Sequence, residues 1–144
     1  MVQKKNSTFV RRTRAILNNY GGKFDVTLLI NCCVGLIFMA TEKQEYKTTI
    51  SQSSKCIDDY GIPSKCIQTT YGEDISLESV CRHIRNAIAH CHFTFNCKNS
   101  REIDAIVFHD QNPYNTSETS NITVRVENFR KFATKIADIV IKNS

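Results

Sequence analysis

Residues 75–97 read ISLESVCRHIRNAIAHCHFTFNC, and two periodicities meet inside this stretch. As far as Cys91 the apolar residues fall at Leu77, Val80, Ile84, Ala87, Ile88 and Cys91, one stripe at helical spacing. Beyond His92 the period drops to two, with Phe93, Phe95 and Cys97 alternating against polar neighbours. The pattern predicts a helix over 76–91 that hands over to a strand. Ser76 stands at the cap position, with Ile75 and Val80 at staple positions. Asp74 and Glu78 near the start suit the helix dipole. The face opposite the apolar stripe carries Ser79, Arg82, His83, Asn86 and His90.

Downstream, Ile106 and Phe108, then Ile122, Val124 and Val126, keep the two-residue period, which predicts two or three short antiparallel strands. Residues 111–120 (QNPYNTSETS) read as the loop between them. A helix over 127–142 closes the chain on Phe129, Phe132, Ala133, Ile136, Ile139 and Val140. Upstream, residues 25–44 read as a helix with the apolar centre VTLLINCCVGLIFMA, Val26 to Ala40. A membrane span needs about 20 such residues. This run is shorter, holds Asn31 and is flanked by Asp25 and Glu42, so a central core helix is the reading and a bilayer anchor its rival. Residues 7–19 read as a further helix on Phe9, Val10, Ile16 and Leu17, after a basic tail over 1–6 and before a Gly21-Gly22 stop. Residues 45–73 are polar and aperiodic, with a turn at Gly61-Ile62-Pro63 and room for a short helix. The fold class is therefore mainly α: about four main helices, with a small antiparallel β hairpin or meander over 92–126 before the last.

A length of 144 residues suits a single domain, because two halves would each be too small for a good core. With 41% hydrophobic and 23% charged residues, an ordinary globular interior is available and general disorder is excluded. The net charge of +5 is concentrated: Lys4, Lys5, Arg11, Arg12 and Arg14 precede any acid, and the rest of the chain is neutral. Such a basic end favours a polyanion partner. The seven cysteines are odd in number and irregularly spaced, and no apolar signal-peptide core precedes them. They are expected to be reduced thiols in a cytoplasmic protein, with Cys32, Cys33, Cys81 and Cys91 buried.

Residues 82–92 (RHIRNAIAHCH) hold three of the four histidines and two arginines. Histidine moves protons near neutral pH, arginine grips phosphate with a fork of donors, and asparagine orients either by hydrogen bonding. Those are the groups that phosphodiester cleavage needs. Arg85 and His90 lie about 7.5 Å apart along the axis and about 140° around it, so one helix does not aim both at one atom. Asn86 and His90 share a face. Pairing the helix with its copy about a two-fold axis would gather both kinds of group in one cleft.

The hexapeptide Arg85-Asn86-Ala87-Ile88-Ala89-His90 has the form R-N-x3-H, one version of the R-x4–6-H signature of HEPN-domain proteins. Together with VTLLINCCVGLIFM, CRHIRNAIAHCHFTF, IVFHD and VENFRKFATKIADIVI, it resembles a subgroup of HEPN nucleases found on plasmids and in prokaryotic conflict systems, over roughly residues 8–142. The resemblance implies a HEPN-like helical bundle and a homodimeric, metal-independent endoribonuclease without cofactor. In that chemistry the ribose 2′-OH attacks the adjacent phosphate and leaves a 2′,3′-cyclic phosphate and a 5′-OH. Catalysis would fall to His90 as acid or base, Arg85 as charge stabiliser and Asn86 as orienter. Arg82, His83 and His92 are the expected substrate contacts, with His92 also fitting the signature as Arg85-x6-His92. RNA is the implied partner, an antitoxin or other regulatory protein a further one, and a membrane is not.

Three rivals follow from the same residues. A non-catalytic HEPN-like module could bind nucleotide, RNA or a partner with the same Arg/His face. A zinc site in HCHFTFNC (90–97) lacks the two spaced ligand pairs such sites use, so no metal is expected. A nucleophilic Cys91 conflicts with its place on the apolar stripe.

Overall fold

The computed structural model describes residues 2–19, 25–53, 56–99 and 102–142. In chain order these form α1 (Val2–Asn19), α2 (Asp25–Glu42), α3 (Gln44–Gln52), β1 (Ile67–Thr69), α4 (Leu77–Ala89), β2 (Phe93–Asn99), β3 (Glu102–Gln111), β4 (Thr119–Arg125) and α5 (Val126–Lys142). The mainly helical reading with a small antiparallel sheet holds. Helix α1 starts at Val2 rather than residue 7, and the Gly21-Gly22 stop lies outside the described residues.

Helix α2 packs against α1, α3, α4 and α5, and α5 closes over α1, α2 and the sheet. Leu29, Cys33, Leu36, Ile37 and Ala40 of α2 meet Phe129, Phe132, Ala133, Ile136 and Val140 of α5 in one continuous core. Each Leu, Ile or Phe buried there is worth about 1.5–3 kcal/mol, which is why so apolar a helix sits at the centre. No helix among the described residues is long and apolar enough to cross a membrane.

The segment expected to be irregular holds more structure than its polarity implied. Helix α3 buries Tyr46 and Ile50, two 3₁₀ turns follow, and β1 adds a strand that the sequence did not announce. The antiparallel sheet runs β1-β4-β3-β2, with Ile67 opposite Ile122 and Phe108 opposite Ile122 on the other side. Ile106, Phe108 and then Asp110 point inward along β3, so a carboxylate ends a buried apolar row. Phe108 packs on Phe129 of α5, their ring centroids 5.5 Å apart.

Both ends of α4 are tied down. Ser76 Oγ accepts from the Ser79 N–H at 3.1 Å, and the Ser76 N–H donates to Ser79 Oγ at 2.9 Å, a reciprocal capping box with serine in the usual place of glutamate. At the far end the Cys91 N–H reaches the Ile88 carbonyl at 3.1 Å and the His92 N–H reaches that of Ala87 at 2.7 Å. This is a Schellman stop, and its left-handed residue is Cys91, at φ 56°. The helix therefore ends at Ala89, earlier than the stripe through Cys91 predicted, and His92 is not on it.

Candidate functional site

The face of α4 expected to be polar and exposed divides in two. Arg82 is exposed, but Ser79 and His83 are buried, His83 to 4% exposure. His83 Nδ1 meets Asp110 Oδ2 of β3 at 2.7 Å, and His83 Nε2 meets Glu73 Oε1 at 2.7 Å. The ring of Tyr71 covers the imidazole at 4.5 Å between centroids. Arg82 closes the far side by pairing with the Glu73 carboxylate. Two ionised carboxylates only accept, so both contacts require a proton on each ring nitrogen. Burial works against the charge on both acids. At Glu73 the hydrogen bonds from Arg82 and His83 outweigh it, and at Asp110 those from His83 and Asn86 do. Each carboxyl is thereby held below its ordinary value, 4.5 for Glu73 and 3.8 for Asp110.

Asn86 links this trio to Arg85. Its Nδ2 donates to Asp110 Oδ2 at 3.3 Å, and its Oδ1 accepts from Arg85 Nη1 at 3.1 Å. Arg85 Nη2 pairs with Glu42 of α2 at 2.6 Å, and the guanidinium carbon stands 5.7 Å from the Phe38 ring centroid. Arg85 lies at the wall of a groove of about 450 Å³ between α2, α3 and α4, which Thr41, Glu42, Lys47 and Arg82 also line.

His90 is elsewhere. It is the residue after the last helical turn, exposed, and its ring neighbour is His92 at 5.9 Å. His92 in turn stands 6.5 Å from His109, which is bonded to Asn121 at 2.6 Å. Within one protomer Arg85 is drawn toward α2, while His90 lies beside the turn into β2. Of the expected catalytic trio, Arg85 and Asn86 are in contact, and the His90 side chain makes no hydrogen bond to either. Cys91 corrects another expectation: the helix stops short of it, and it is exposed rather than core. Cys32, Cys33 and Cys81 are buried as expected, and all seven cysteines are free thiols. Burial pushes the Cys33 and Cys81 thiols far above their ordinary value. Among the described residues no cluster of ligands could hold a metal ion.

Sequence reasoning missed three groups of this network, Glu42, Glu73 and Asp110. One signal was present. Asp110 falls in step with Ile106 and Phe108, and a carboxylate on an inward strand position needs a partner. Glu42 and Glu73 carry no such mark.

Among the described residues, five helices with α2 at their centre, and a small antiparallel sheet, make a mainly helical module. The chain belongs to the family described as HEPN pEK499 p136, which matches it over residues 1–144. No curated protein and no solved structure gives a match.

Proposed function

We propose that this HEPN module is a metal-independent endoribonuclease whose site is completed between two copies of the chain. The observation that carries the reading is the Arg85 guanidinium, held on a groove wall by Asn86 and Glu42, with His90 left exposed at the end of the same helix. In one protomer the two groups have different neighbours, so a shared phosphodiester would meet Arg85 of one copy and His90 of the other. The 2′-OH attacks the adjacent phosphorus, the P–O5′ bond breaks, and the products carry a 2′,3′-cyclic phosphate and a 5′-OH. His90 takes the hydroxyl proton or returns one to the leaving oxygen. Arg85 balances charge on the five-coordinate phosphate, and Asn86 holds the guanidinium. Arg82 and His92 are exposed for flanking phosphates. His83, expected beside them, is enclosed between carboxylates and is given no substrate contact here.

The test is cleavage of an unstructured RNA with end-group analysis, in buffer containing EDTA. His90→Ala and Arg85→Ala are each expected to lower the rate about 10²–10⁴-fold, with cyclic phosphate ends in the wild type. If His92→Ala alone abolishes cleavage, the assignment of the acid–base group is wrong.

One observation favours a second reading. Arg85 is already neutralised by Glu42 at 2.6 Å, as suits a non-catalytic module that binds nucleotide, RNA or a partner protein of a toxin–antitoxin or defence system. Tight RNA binding without products would select it.

A further inference from the structure

An asparagine side chain fits its density of neighbours two ways round, and only hydrogen-bond chemistry decides between them. At Asn86 the neighbours are opposite in kind. Arg85 is donor-only, and an ionised Asp110 is acceptor-only. The amide accordingly turns Oδ1 to Arg85 and Nδ2 to Asp110, at 3.1 and 3.3 Å. Asp110 is itself enclosed. It is 6% exposed, lies in a paired strand, and shares Oδ2 with His83 Nδ1 at 2.7 Å. Glu73 holds the other side of that imidazole, and Arg82 holds Glu73. The direction of every bond in the row is fixed from its buried end.

We propose that Asp110, backed by His83, is a positioning residue that sets which way round the Asn86 amide sits and so where the Arg85 guanidinium points. The catalytic consequence rests on the nuclease reading above; the structural claim does not. A network that only stabilises the fold would require the bonds but not their direction.

Removing the acceptor, as against removing only its charge, separates the two. His83 Nδ1 and Asn86 Nδ2 meet the same oxygen, Asp110 Oδ2. In Asp110→Asn the amide oxygen can stand in that place and accept from both, so the direction of the row is kept without the charge. In Asp110→Leu no acceptor faces the Asn86 amide, both of its orientations are open, and Arg85 loses a committed acceptor. Nitrogen-15 NMR of Arg85 in the full chain is expected to give resolved Nη signals in the wild type and in Asp110→Asn, and averaged signals in Asp110→Leu. On RNA, Asp110→Leu is expected to lower kcat about 10- to 100-fold with KM unchanged, and Asp110→Asn to keep most of the rate. Should Asp110→Leu fail to fold because His83 loses its partner, the double variant Asp110→Leu/His83→Phe takes its place. Resolved Arg85 signals in the leucine variant, or averaged ones in Asp110→Asn, would overturn the proposal. Wild-type chain that shows the expected Arg85 pattern yet never cleaves RNA supports the positioning and sinks the nuclease reading.

Discussion

Cys91 shows how much one residue's backbone decides. A helical stripe places its side chain in the core, but the chain turns at this position and takes φ 56°, a conformation that costs a residue with a Cβ about 1–2 kcal/mol. The cost is met by two hydrogen bonds that satisfy the carbonyls of Ala87 and Ile88. The exposed thiol makes no side-chain hydrogen bond to a described residue, so little is lost by removing it. Cys91→Gly is therefore expected to raise unfolding stability by about 1 kcal/mol in urea titration. A loss of stability would show that the side chain matters beyond its backbone. The same turn governs the chemistry, because it leaves His90 exposed at the helix end and His92 outside the helix.

Among the elements, α2 supplies the centre of the core and α4 carries the Arg85–Asn86 pair. Helix α4 was legible because both its apolar stripe and its Ser76 cap are written in neighbouring residues, and its end alone was misplaced. Helix α2 was legible as a core element from its length of apolar sequence, and it packs on four other helices. It nevertheless keeps a glycine in mid-helix. A methyl group at Gly35 would meet only the Phe9 ring, at 3.6 Å, an ordinary contact distance. Gly35→Ala is expected to add about 0.8–1 kcal/mol through helix propensity, read as a rise in thermal midpoint. A fall would mean that Phe9 cannot yield and that α1 seats on α2 with no slack. Strand β1, by contrast, is three residues whose strand character comes from pairing with β4, and three residues are too few for a period to be seen.

At the scale of the whole molecule, the two acids that flank His83 couple the fold to pH. Asp110 and Glu73 have folded-state values below their ordinary 3.8 and 4.5, so the unfolded chain binds protons more readily than the folded one. Their contribution to stability is present above the ordinary values and is lost as the pH falls through the lower, folded ones. The urea midpoint of the wild type is expected to drop more steeply between pH 5 and pH 3 than that of Asp110→Asn, as a direct consequence of this linkage. Parallel curves would show that Asp110 gains nothing from His83 and Asn86. The long helices, the switch from helix to strand after His92, the basic first segment and the Arg85-Asn86 pair were all present in the order of residues, because period, capping and charge are properties of near neighbours. The partners of those residues were not. His83 and Asp110 are separated by 27 positions, and Arg85 meets Glu42 across two helices. Only the packing of α4 against β3 and α2 brings them within hydrogen-bond reach, and in that enclosed setting an unpaired charge would cost more than the fold can spare. A histidine that sequence spacing puts in solvent is for that reason buried between two acids.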